Sequence, residues 1–142
     1  MWENCVYNYL YDMENILNIP SMNIFNNDWD LLLMFMENEG NPPFHIGGDV
    51  DLDSHYGIKS LGNLVSVGGY LNMQNSSLQS LGKLKSVGNF LNLNGTHIKS
   101  LGKLKYVGSH LYLMDTEQFI ITEDEIRNKV NVKGHIYGKY FF

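Results

Sequence analysis

The sequence predicts an α/β repeat fold: a short solenoid of parallel strands with about five coils, an N-terminal helical cap and a short C-terminal helix. Three observations lead there. Segments of the 142-residue chain align with one another at a constant spacing of 20 residues, and self-similarity at such a period marks stacked repeats. Inside each segment apolar residues alternate with polar ones, which is the period of a strand. Composition is the third: 44% apolar and 18% charged residues can bury a core. Alanine is absent and asparagine occurs 17 times, which excludes an idealised helical bundle.

Residues 1–43 are the expected cap. Trp2, Val6, Tyr9, Leu10, Met13, Ile16 and Leu17 recur at helical spacing and stop before Pro20. Asn26 or Asn27 can cap a second helix over residues 28–37, with Asp28 and Asp30 in its first turn and Gly40 past its end. Its run over residues 31–36 is apolar all round, which predicts burial between layers or a strand. Asn41-Pro42-Pro43 then joins the cap to a solenoid over residues 44–142. Three gapless units follow: IKSLGNLVSVGGYLNMQNSS from Ile58, LQSLGKLKSVGNFLNLNGTH from Leu78 and IKSLGKLKYVGSHLYLMDTE from Ile98. The truncated IGGDVDLDS from Ile46 precedes them and the degenerate VKGHIYGK from Val132 follows, as atypical terminal coils should. Thr122 and Glu125 form a capping-box pattern that predicts a helix over Glu123–Lys129. These helices are expected to cover the open ends of the sheet.

A 20-residue unit cannot bury its apolar side alone, but stacked units can. Leu71/Leu91/Leu111, Met73/Leu93/Leu113, Leu61/Leu81/Leu101, Leu64/Leu84/Leu104 and Val67/Val87/Val107 then become core columns. Gly62, Gly82 and Gly102, with Gly68, Gly88 and Gly108, recur where the backbone must turn or approach the next coil. The shared pattern, LxLxx(S/T)x(I/L)xSLGxLxxVGxx, resembles the short leucine-rich repeat over residues 46–137. That resemblance implies one strand plus a turn-rich return per unit. Many such repeats place Asn after the strand; here Ser76, Thr96 and Thr116 stand there, and a hydroxyl can still bond loop backbone.

Strand residues alternate faces, so three outward ladders follow, with about 4.8 Å between rungs. The first reads Asp49, Tyr70, Phe90, His110, His135; the second Asp51, Asn72, Asn92, Tyr112, Tyr137; the third Asp53, Gln74, Asn94, Met114, Lys139. On the turn side Lys59 aligns with Lys99, Lys83 with Lys103 and Lys85 with Lys105. Charge is divided as well: residues 1–58 carry ten acids and no Lys or Arg, and residues 59–142 carry all ten bases against five acids.

No motif for catalysis, phosphate binding or a cofactor is present, so no catalytic residue, cofactor or enzyme activity is expected. Asp49, Asp51 and Asp53 look like the start of a calcium loop, but Ser54 and Ser60 stand where that loop needs Gly and Glu. His110 and His135 lack a third ligand, and His45, His55 and His97 read as loop residues, so no metal is expected. The single cysteine, Cys5, reads as a small hydrophobe of the first helix. No apolar run nears the roughly 18 residues of a membrane span, and no secretion signal is legible, so a cytoplasmic protein is expected.

The function expected is non-enzymatic protein binding through the sheet face and the acidic cap. Tyr70, Phe90, His110, Tyr112 and Tyr137 would be anchors, and Asn72, Asn92 and Asn94 would add hydrogen bonds. A homodimer through the open sheet end or the aromatic face uses the same features. Very similar short repeats occur in bacterial and bacteriophage proteins. This resemblance implies a sharper form: a phage-encoded inhibitor, anti-CRISPR-like, occluding a host defence nuclease. Asp28, Asp30, Glu37, Glu39, Asp49, Asp51 and Asp53 would then imitate phosphates in a basic channel. The alternative is a nucleic-acid-binding module using Lys83, Lys85, Lys103 and Lys105; it stands second because no Arg and no aromatic row accompany them.

Overall fold

The structure, a computed structural model, describes residues 16–116 and 119–138. Over these the chain winds into a parallel β-solenoid of about four turns with two α-helices. Strands occur at β1 (Leu17–Ile19), β2 (Phe44–Ile46), β3 (Val50–Asp51), β4 (Leu64–Val67), β5 (Leu71–Asn72), β6 (Ser86–Val87), β7 (Leu91–Asn92), β8 (Tyr106–Val107), β9 (Leu111–Leu113), β10 (Asn131–Val132) and β11 (Ile136–Gly138). They form two parallel sheets, a six-stranded one ordered β1-β2-β4-β6-β8-β10 and a five-stranded one ordered β11-β9-β7-β5-β3.

Each full repeat thus contributes two short strands rather than one strand and an irregular return. Val67, Val87, Val107 and Val132 pair rung to rung in the first sheet. Leu71, Leu91, Leu111 and Ile136 do so in the second. The corner between the two strands explains the difference. A Cβ on Gly88 would strike the carbonyl oxygen of Gly68, and one on Gly108 would strike that of Gly88. Without side chains here, successive coils come close enough for the short Ser-Val and Tyr-Val segments to pair. The other glycine column serves the turn: Gly82 has φ +58° and its N–H donates to Ser80 Oγ at 3.0 Å.

One apolar core runs the length of the solenoid, and Leu71, Leu91 and Leu111 are wholly buried. The hydroxyl column sits at its edge and is buried too. Thr96 Oγ1 donates to the Leu93 carbonyl at 2.7 Å, and Thr116 Oγ1 to that of Leu113 at 3.0 Å. These bonds satisfy polar atoms that burial would otherwise penalise.

The described residues of the N-terminal part depart from expectation in three ways, in β1, in the helix cap and in the apolar run. Trp2, Val6, Tyr9, Leu10 and Met13, with Cys5, lie outside the described residues. Leu17 is not helical; it opens β1, which pairs in parallel with β2. The six-stranded sheet therefore spans the expected boundary between cap and solenoid at residues 43 and 44. The helix α1 (Trp29–Asn38) is capped by Asp28, whose Oδ1 accepts from Asp30 N at 2.9 Å and Leu31 N at 3.2 Å. Asn26 and Asn27 have φ 54° and 58°, left-handed values that serve the exit of the 3-10 turn Met22–Phe25 instead of the extended cap. Finally, the run over residues 31–36 is not buried all round. Trp29, Leu32 and Met36 face the core, while Leu31, Leu33, Phe35 and above all Met34, 62% exposed, face outward. A helix packed on one side has room for only one buried stripe.

The capping box stands as read. Thr122 Oγ1 accepts from Glu125 N, and Glu125 Oε2 accepts from Thr122 N at 3.0 Å, at the start of α2 (Glu123–Lys129). This helix does not close the solenoid: it lies between β9 and β10, and Arg127 ties it to the following coil through the carbonyls of Val132 and Gly134. His45 is likewise no loop residue; it sits in β2 with its Nδ1 2.6 Å from Ser66 Oγ.

Gly88→Ala should cost about 1–3 kcal/mol through forced backbone separation, whereas the exposed Lys83→Ala should stay within about 0.5 kcal/mol. Urea melts of the two variants check this.

Candidate functional site

The outward face of the five-stranded sheet brings the predicted ladders together. Asp51, Asn72, Asn92, Tyr112 and Tyr137 are consecutive rung partners from β3 to β11. Beside them the rings stack. Tyr70 and Phe90 lie 4.6 Å apart at 6°, His110 and His135 5.4 Å apart at 14°, and Tyr112 and Tyr137 5.1 Å apart at 12°. The parallel stack is interrupted between Phe90 and His110. There the contact shifts across the strand, Phe90 meeting Tyr112 edge-on at 6.1 Å and His110 meeting Tyr137 at 5.8 Å. Six rings thus form one continuous surface. Tyr70, Phe90, His110 and Tyr112 are half-buried by their neighbours, and Tyr137 is exposed.

The polar members of the ladders are committed to the fold. Asn72 Nδ2 donates to Asp51 Oδ1 at 3.1 Å, and its Oδ1 accepts from Gln74 N at 3.1 Å. Asn92 Nδ2 donates to Gln74 Oε1 at 2.9 Å, and its Oδ1 accepts from Asn94 N at 3.0 Å. Asn94 Oδ1 in turn accepts from Met114 N at 2.7 Å. His110 Nδ1 accepts from His135 N at 2.9 Å, which fixes the orientation of that ring. Lys139, the last rung of the third ladder, lies outside the described residues.

The acidic residues occupy two places. Asp49, Asp51 and Asp53 line the exposed rim at β3. There Asp49 Oδ1 accepts from Tyr70 N at 3.0 Å and Asp51 Oδ1 from Asp53 N at 3.2 Å. Burial first, then the negative charges of Asp51 and Asp49, raise the Tyr70 phenol above its ordinary value of 10.0. Asp28 and Asp30 stand at the start of α1, and Glu37 and Glu39 at its other end. Acids in the last turn oppose the helix dipole, so stabilising the helix does not account for them. Among the described residues no group of three or more His, Cys, Asp or Glu is placed to hold a metal ion.

Lys83, Lys85, Lys103 and Lys105 are exposed on another side of the coils, where Lys105 N donates to the Lys85 carbonyl at 2.7 Å. Sequence reasoning missed the exposed apolar side of α1; Ile24 in the preceding turn is also 59% exposed. The signal was present: a run of six apolar residues cannot all face one core.

Comparison of the chain with protein-family models, with curated proteins and with solved structures found no match. Among the described residues no helix is long and apolar enough to cross a membrane.

Asp51→Asn should lower the Tyr70 titration midpoint, because one of the charges opposing phenolate formation is gone, and burial should still hold it above 10.0. In the parent protein the neutral phenol favours folding below pH 10.0, and this contribution is lost as pH rises through the raised folded value. An NMR titration of the tyrosine rings checks the shift.

Proposed function

We propose that the protein is a non-enzymatic binding module that holds another protein against the aromatic face of the five-stranded sheet. The single observation that carries this is the continuous surface of Tyr70, Phe90, Tyr112, Tyr137, His110 and His135. Stacking alone would stabilise the ladder, but it does not require the apolar rings to reach solvent. Large, rigid aromatic side chains supply contact area at small entropic cost, and they dominate binding hot spots.

The repeat itself is read as a variant of the short leucine-rich repeat. Its L-x-L columns are buried and its hydroxyl column bonds loop backbone, in support of that assignment. The acidic side chains of α1 and β3 support a narrower form of the function, occlusion of a basic channel in a host nucleic-acid-processing enzyme, as a phage-encoded inhibitor would do. Charge complementarity would then speed encounter and select the partner.

The test is affinity capture from lysate of the source cells with the intact chain as bait. A partner protein should be retained, and Tyr70→Ala and Phe90→Ala should each weaken it by about tenfold or more. Lys83→Glu and Lys105→Glu should leave it bound. Retention that ignores the ring substitutions, or salt-sensitive retardation of DNA or RNA lost in the lysine variants, would contradict the reading.

A further inference from the structure

The two sheets are unequal. The six-stranded sheet begins one coil earlier, at β1, than the five-stranded sheet, which begins at β3. After β1 the chain turns away as the 3-10 turn Met22–Phe25 and supplies no strand beside β3. Val50 and Leu52 donate their N–H groups to the carbonyls of Tyr70 and Asn72, at 2.9 and 2.8 Å. Alternate residues of a parallel strand direct their backbone groups to opposite neighbours. The N–H and C=O groups of Asp49 and Asp51 therefore face the side where, among the described residues, no strand pairs. That side opens into a cleft of about 580 Å³, with Ser21, Asn23 and Asn27 opposite Asp49, Asp51 and Tyr70.

We propose that this rung, which no described strand fills, takes an extended segment of a partner protein as an added strand, with Lys or Arg at alternate positions and small residues between them. Strand addition draws affinity from main-chain hydrogen bonds and specificity from alternate side chains. The ladder rule sets those side chains. Outward positions of the added strand fall beside Asp49, Asp51 and Asp53, all exposed, in a part of the chain with no Lys or Arg up to residue 58. Basic residues complement them. Inward positions face Met22, Val50 and Leu52, which border the cleft and are already buried, so little volume is left. A second copy offering its own β3 would set carboxylate against carboxylate, which the edge disfavours. This site adjoins the aromatic face at Tyr70 and uses none of its other rings, so its failure leaves the reading of that face standing.

The test uses the intact chain and a fluorescent peptide alternating Lys and Ser, read by anisotropy at low salt. The peptide should bind, and its Glu-Ser counterpart should not. Continuing the ladder pattern, the Ser N–H groups face β3 and the Lys N–H groups face away. N-methylation at every Ser should weaken binding by about tenfold or more, the loss of inter-strand hydrogen bonds, and N-methylation at every Lys should leave it within about twofold. Tyr137→Ala, at the far end of the ring surface, should also leave it unchanged. Absence of binding, equal binding of the acidic peptide, equal binding of the two methylated peptides, or loss of binding in Tyr137→Ala would each overturn the proposal.

Discussion

Direct backbone contact between coils, at the column of Gly47, Gly68, Gly88 and Gly108, is the constraint on which the remaining geometry depends. At each step a Cβ would meet the carbonyl of the coil below, or of Pro20 beneath Gly47. Coils that touch through backbone are held at strand spacing on both sides of the corner, so two ladders form from one contact. Once the spacing is set, every residue lies against its counterpart in the next repeat. Leucine then stacks on leucine in the core, and Thr96 and Thr116 donate to equivalent carbonyls in successive coils.

The same rule writes the surface. A side chain on the outward face is neighboured by whatever the adjacent repeats place there, so small drifts in the repeat become gradients. The face runs from carboxylates at β3, through asparagines, to rings at β11. The asparagines in the middle spend their hydrogen bonds on the ladder itself. The two ends keep chemistry in reserve: exposed carboxylates beside a strand edge that no described strand pairs at one, exposed rings at the other. Such ends are normally blunted against unwanted pairing. Here the carboxylates guard the edge against a second copy while leaving it open to a basic strand.

Much of this was legible in the sequence because it rests on the period. Registering the units at 20 residues was enough to place Asp51, Asn72, Asn92, Tyr112 and Tyr137 on one line, and Thr122 with Glu125 announced α2 by reciprocal bonding alone. The second strand of each coil was not legible. Ser86–Val87 and Tyr106–Val107 are two residues long, too short to carry an alternation, and their pairing depends on the neighbouring glycine column instead. Leu17–Ile19 read as the end of a helix because its partner in β2 is remote in sequence. The fate of the run over residues 31–36 turned on which side α1 packs, with Trp29 against Phe44 at 6.3 Å, a tertiary fact that no local pattern contains. In the same way the side-chain amides could be placed on the face but not seen to be already bonded.

The central claim is that one coil is one 20-residue unit stacked in register. Its most direct test is to delete whole and partial units and follow thermal unfolding. Removing residues 78–97 should leave a cooperatively folded, shorter solenoid, since Leu71 then meets Leu111 as it now meets Leu91. Removing residues 78–87 should abolish the cooperative transition, because every later column would fall out of line. Equal tolerance of the two deletions, or greater tolerance of the shorter one, would contradict the account.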